Sequence, residues 1–329
     1  MADDRDQQPI ERRAAPREIR TEQGTVMMKS VAAQWHSSRI GAALLATGLG
    51  VGAVLSGPAP HSAASADDKV YVAMGDSFAA GAGIAPIVSS VLCSRSRIDY
   101  AGLIARQLEI GTFRDVTCGG AEVIHLTTPQ AGLGGETVAP QYDALDEATT
   151  LVTVGIGGND IGLERLALDC YNVMRVPAYS CAAASRADGH DVYADKIAGF
   201  GETYARIIAD IRERSPRAEI AMVGYPTIFR PGGCPDQVPM PPADADYIEA
   251  RVEQLDTVMR DAANAHGARY VDLLESTRGH DICAAPDDQW VSKLVPDIAG
   301  EPPLHPNAAS HANSAKQIVK ALADMSPRQ

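Results

Sequence analysis

Val70-Tyr71-Val72-Ala73-Met74 runs directly into Gly75-Asp76-Ser77-Phe78. An apolar run of this length, closed by a glycine, reads as a buried strand with a tight turn at its end. Phe113–Val116 leads in the same way to Cys118-Gly119-Gly120-Ala121, and Leu151–Ile156 leads to Gly157-Gly158-Asn159-Asp160. Two more strand-like runs follow at Glu219–Gly224 and Arg269–Asp272. Helical patterns alternate with the strands over Asp99–Leu108, Asp160–Leu168, Val192–Arg214, Asp244–Ala265 and Asn307–Ala323. In the third, Ile197, Phe200, Tyr204, Ile207, Ile208 and Ile211 recur at three- and four-residue steps, one face of a helix. Such alternation predicts an α/β fold, a central parallel sheet covered on both faces by helices. Ligands of these sheets bind beyond the carboxyl ends of the strands, which is where the three glycine-rich turns fall.

The first 66 residues read as targeting rather than fold. Ile40–Leu55 is a Gly/Ala/Leu-rich apolar run preceded by Lys29 and Arg39, and Ala64-Ser65-Ala66 is a small-x-small site ahead of Asp67. This is the pattern of a secretory signal peptide cleaved after about Ala66, with Met27 or Met28 as other candidate starts. A retained membrane anchor is the rival, but the run is short of the ~20 residues a spanning helix wants. Residues 67–329 then form one domain, long enough for a full core.

The chain carries 29 basic and 42 acidic side chains, a net charge of −13. The first 66 residues hold six acids and seven bases, which leaves 36 acids and 22 bases beyond them, a net −14. That balance argues against nucleic acid or an anionic membrane as partner. All six cysteines (Cys93, Cys118, Cys170, Cys181, Cys234, Cys283) follow the expected cleavage site, and an even count in an exported chain points to disulfides. No C-x-x-C or C-x-x-H spacing supports zinc. Of the 15 pairings, the sequential one (93–118, 170–181, 234–283) is favoured because each bridge closes one local excursion between core elements.

Ser77 follows a strand directly, so its hydroxyl and its own N–H can face the same point beyond the sheet edge. An N-cap serine would look the same in isolation, and the G-x-S-x-G elbow is absent because position 79 is Ala. Gly120 offers a backbone N–H where a side chain would block a substrate, although a plain turn glycine reads identically. Asn159 offers a side-chain amide, or else a cap for the next helix. Of six histidines beyond residue 66, only His305 lies in a proline-closed loop that ends at a helix, Leu304-His305-Pro306-Asn307. Hydroxyl, N–H donors, amide and imidazole are the parts of an acyl-transfer site.

Gly-Asp-Ser-Phe early, a glycine in Cys-Gly-Gly-Ala, Gly-Gly-Asn-Asp after a strand and His-Pro-Asn near the end together resemble the SGNH (GDSL) hydrolases, over nearly all of Asp67–Met325. Cys93-Ser94-Arg95-Ser96, Val154–Gly162, Gly279-His280-Asp281-Ile282-Cys283 and His305–Ala309 look like the secreted actinobacterial esterase and lipase branch. The resemblance implies Ser77 as nucleophile, Gly120 and Asn159 as oxyanion donors beside the Ser77 N–H, and His305 as base. It also implies a three-layer flavodoxin-like fold, three sequential disulfides, and no metal or other cofactor in the chemistry.

One position departs from the family. Most members carry Asp three residues before the histidine, and here Pro302 stands there, with Glu301 one step earlier. The bond that orients the imidazole is therefore expected from the Pro302 backbone carbonyl, with Glu301 as the alternative. The expectation is a secreted, monomeric serine esterase or lipase that hydrolyses small-molecule or lipid acyl esters through a Ser–His dyad, with no lasting membrane insertion. A carbohydrate O-acetyl esterase is the runner-up, and an inactive binding module with the same fold stands as the rival from another class.

Overall fold

The computed structural model describes residues 69–132, 135–187, 189–293 and 300–323. The expected signal segment, 1–66, lies outside the described residues. Five parallel strands build the main sheet: β1 (Val70–Gly75), β2 (Thr112–Asp115), β3 (Leu151–Gly155), β4 (Glu219–Val223) and β5 (Arg269–Val271). Their order is β2-β1-β3-β4-β5. The chain thus winds outward one way from β1 to β2 and the other way from β3 to β5, the flavodoxin-like order with its switch point between β1 and β3.

Alternation along each strand makes the three layers. Val72, Met74, Val152, Val154 and Met222 pack on one face, under the helices Leu163–Cys170, Phe200–Arg214 and Pro242–Ala265. Tyr71, Ala73, Leu151, Ala221 and Val223 face the other way, toward Tyr100–Gln107 and Ala308–Ala323. The periodic isoleucines of Phe200–Arg214 behave as their spacing predicts, with Ile207, Ile208 and Ile211 all buried. Burying one such side chain contributes roughly 1.5–3 kcal/mol.

The helix expected over Val192–Arg214 is two helices, Val192–Ala198 and Phe200–Arg214, joined at Gly199. The apolar period runs through the break, so the pattern does not register it. A two-stranded antiparallel hairpin, Gln130–Ala131 with Thr137–Val138, also lies outside the expected elements because its strands are too short to show a period. The structure pairs Cys93 with Cys118, Cys170 with Cys181 and Cys234 with Cys283.

Candidate active site

β1 and β3 run in register from Tyr71 opposite Leu151 to Gly75 opposite Gly155, so their ends deliver the next residues side by side. Gly75 has φ 144°, and a Cβ there would lie 2.3 Å from the Gly155 carbonyl oxygen, so only glycine fits. Gln141 fixes this strand end from the side. Its Oε1 accepts from the Gly75 N–H (2.8 Å) and its Nε2 donates to the Gly75 carbonyl (2.9 Å). The next residue, Asp76, caps a single helical turn, Ser77–Ala80, by accepting from the Phe78 N–H at 2.9 Å. Ser77 is the first residue of that turn and not its cap, so its own N–H has no partner within the helix.

Gly120 sits in a turn pinned on both sides. The Gly119 N–H donates to the Cys93 carbonyl (3.0 Å), Gln130 Nε2 donates to the Gly119 carbonyl (2.8 Å), and the Ala121 N–H returns to Cys118 (3.1 Å). The Gly120 N–H itself makes no hydrogen bond among the described residues. Its φ of 68° is what demands glycine, since the nearest atom to an added Cβ would be 3.7 Å away.

Asn159 lies inside the turn Gly158–Ile161, which Gly157 opens, so it is not the cap. One N–H of its amide donates to the Ala121 carbonyl at 2.9 Å, tying it to the Gly120 turn, and the amide group retains a second N–H. Asp160 braces the same junction by accepting from the Val123 N–H at 3.0 and 3.1 Å. Burial pushes this carboxyl up to about 6, against the pull of the Val123 bond.

His305 is buried, with Nε2 2.7 Å from Ser77 Oγ and its ring packed on Phe78 at 4.6 Å between centroids. Nδ1 lies 2.8 Å from the Pro303 carbonyl oxygen. A carbonyl only accepts, so Nδ1 carries the proton and Nε2 is free to accept from the serine hydroxyl. Burial lowers the imidazole to about 4, and the Pro303 bond offsets this in part.

The orienting carbonyl is therefore that of Pro303 and not that of Pro302. Leu304 adopts a left-handed backbone, φ 61°, which folds the chain back so that the carbonyl two residues before His305 meets its own ring. The Pro302 carbonyl instead accepts from Ser292 Oγ. Ser292 also accepts from the His305 N–H through Oγ (2.9 Å) and donates its own N–H to the His305 carbonyl (2.8 Å). The ring's Nδ1–H is directed at the Pro303 carbonyl.

Three supporting groups went unread in the sequence: Gln141, Ser292 and Tyr225. The Tyr225 hydroxyl donates to Asp76 Oδ2 (2.6 Å) and accepts from the Gly158 N–H (2.8 Å), joining the Ser77 turn to the Asn159 turn. Asp76 is buried beneath it, and burial raises its carboxyl to about 7 against the bonds from Tyr225 and Phe78. His311, behind the site, accepts from the Tyr100 N–H at 3.0 Å and has a structural role. Among the described residues no group of three or more His, Cys, Asp or Glu is placed to hold a metal ion.

Ser77 and His305 stand on the wall of a cavity whose other walls include Leu163, Ala167, Ile228, Ile248 and Val252. A sequence profile of the GDSL-like Lipase/Acylhydrolase family matches residues 73–312, from β1 into the last helix. The chain belongs to this family. Lipase 2 of Streptomyces coelicolor is 33% identical to it over 261 residues, spanning 77% of this chain and 85% of its own. An esterase of Streptomyces scabiei is 28% identical, over 85% of this chain and 93% of its own. Among solved structures, phospholipase A1 from Streptomyces albidoflavus NA297 superposes with a TM-score of 0.61 at 24% identity, over 78% of this chain and 99% of its own. That likeness speaks to the fold. As a GDSL-family hydrolase, the chain acts on carboxylic esters.

Proposed function

We propose that this hydrolase is a secreted serine esterase or lipase that cleaves acyl esters through a Ser77–His305 dyad. The 2.7 Å contact between Ser77 Oγ and His305 Nε2, at the wall of an apolar cavity, carries the reading. His305 takes the serine proton as Oγ attacks the ester carbonyl carbon. The oxyanion that forms receives the N–H groups of Ser77 and Gly120 and the second N–H of the Asn159 amide. His305 then gives its proton to the departing alcohol, takes one from water as the resulting hydroxide bonds to the acyl carbon, and returns that proton to Ser77 Oγ as the C–Oγ bond breaks and the acid leaves. During both steps the imidazolium has a neutral carbonyl, Pro303, at Nδ1. This compensates its charge less than a carboxylate would, which places more of the work on the oxyanion donors.

Three disulfides and the small-x-small site after Ile40–Leu55 support export. The apolar walls favour acyl esters over acetylated sugars, because Leu163, Ala167, Ile228, Ile248 and Val252 can pack against an acyl chain but offer a sugar's hydroxyls no side-chain hydrogen bonds. Ser77→Ala tests the assignment: hydrolysis of p-nitrophenyl esters should be lost with the fold intact, and turnover within about tenfold of wild type refutes it. A series of esters of rising chain length tests the substrate class. Activity that peaks at acetate and falls with each added carbon would favour the acetyl esterase.

A further inference from the structure

Ten residues, Tyr171–Ser180, leave the Leu163–Cys170 helix as a loop closed at its base by the Cys170–Cys181 bridge, both of whose cysteines are buried. Its large apolar side chains face solvent: Val173 is 63% exposed, Met174 84%, Val176 47% and Tyr179 40%. The loop is built to keep them there. Asn172 accepts from the Val176 N–H through Oδ1 (2.8 Å) and donates to the Val176 carbonyl through Nδ2 (3.0 Å). Its own N–H is held by the Pro239 carbonyl at 2.8 Å. At the far end the buried Asp244 carboxylate accepts from Ser180 Oγ (2.6 Å) and from the N–H groups of Cys181 and Ala182. Apolar side chains braced into water in this way mark a docking surface.

Two observations say what docks. The helix that launches the loop lines the active-site cavity with Leu163, Ala167 and Leu168, and Leu168 is itself half exposed. The apolar surface therefore continues from the cavity wall toward the loop. The charge is also out of character for the chain. From Tyr171 to Ala187 there is no acidic residue but there are two arginines, in a sequence with net charge −13. Arg186 is paired with Asp191, whereas Arg175, between Met174 and Val176, forms no ion pair among the described residues and donates through Nη2 only to the Pro235 carbonyl, at 3.3 Å. Apolar side chains around one cation without an acidic partner among the described residues match acyl chains beneath a layer of phosphate.

We propose that the Tyr171–Ser180 loop seats this hydrolase on a phospholipid bilayer surface, with Val173, Met174 and Val176 inserted among the acyl chains and Arg175 at the phosphates. The inference deepens the acyl-ester reading of the same cavity, and its test separates the two. In the full chain carrying Ser77→Ala, which leaves vesicles unhydrolysed, co-sedimentation with phosphatidylcholine vesicles should be seen. Adding Met174→Glu should weaken it at least about tenfold, because a carboxylate must leave water to insert. In the chain with Ser77 restored, Met174→Glu should slow hydrolysis of vesicle phosphatidylcholine by a similar factor. It should leave hydrolysis of soluble p-nitrophenyl acetate within about twofold, since Met174 faces solvent and does not line the active-site cavity. No sedimentation of the Ser77→Ala chain, equal sedimentation of both variants, or equal losses on both substrates overturns the proposal. So does a change in oligomeric state on Met174→Glu in gel filtration, which would make the loop a self-association face. If the ester-hydrolase reading itself fails, soluble esters are not hydrolysed, yet vesicle binding and its loss remain readable.

Discussion

His305 touches Ser77 with one ring nitrogen and its own chain with the other. The proposed dyad therefore depends on a local backbone turn and not on a carboxylate, and three consequences can be measured. With Nδ1 satisfied by Pro303, Glu301→Gln should leave kcat within about twofold of wild type. A loss approaching the ~10⁴ of the Asp→Asn change in a protease triad would instead give Glu301 the orienting role. The second concerns pH. Burial holds the imidazole down at about 4, and only the neutral ring can accept the serine proton. Activity should accordingly rise with pH through a limb lying below the ordinary histidine value of ~6.5 and be flat above it. A kcat/KM limb at or above ~6.5 would contradict the buried, carbonyl-bonded ring. The third concerns Ser292, which grips both the N–H and the carbonyl of His305. Ser292→Ala should lower kcat at least about tenfold with KM little changed, and the limb should move up as the loosened ring meets water. Ser292→Thr keeps the hydroxyl and should recover much of the loss.

At the scale of elements, the site is two short turns at adjacent strand ends, Ser77–Ala80 and Gly158–Ile161, cross-linked through Tyr225. Tyr225→Phe deprives the Gly158 N–H of its acceptor and Asp76 of its donor. An unmet buried group costs about 1–3 kcal/mol, so the melting temperature should fall and kcat with it, while KM changes little. Unchanged kcat in a stably folded Tyr225→Phe would show that Asn159 is placed without this link. These contacts also mark what the sequence could and could not convey. The three central strands were legible because apolar runs that end at a glycine report burial locally. The glycine-rich turns were legible because a strand end in an α/β fold has a known place. Tyr225 was not, since it meets Asp76 across 149 residues and no local period encodes that contact. Pro303 was missed for a different reason: family spacing pointed to position 302, and only the left-handed backbone at Leu304 selects the next carbonyl. A non-glycine residue in that conformation leaves no mark in a sequence.

For the whole molecule, the sheet order places the β1/β3 switch point under the site, and disulfides hold the loops around it. Cys234–Cys283 spans 49 residues and ties the long Pro226–Pro242 connection to the segment that leads through Ser292 to His305. Replacing both cysteines with serine should cost ~2–4 kcal/mol of stability by the loop-entropy argument, read as a lower urea midpoint. Activity should fail at lower urea than the sheet unfolds, because the His305 segment is the part released. Coincident loss of both would mean that the bridge stabilises the whole domain and not this segment. Among the described residues no helix is long and apolar enough to cross a membrane.

The central claim is that Ser77 is a nucleophile made reactive by His305, and covalent labelling tests it most directly. A fluorophosphonate should modify the protein at one site, peptide mapping should place the adduct on Ser77, and His305→Ala should suppress the labelling with the fold preserved. An adduct on another residue, or undiminished labelling of Ser77 in His305→Ala, would contradict the dyad.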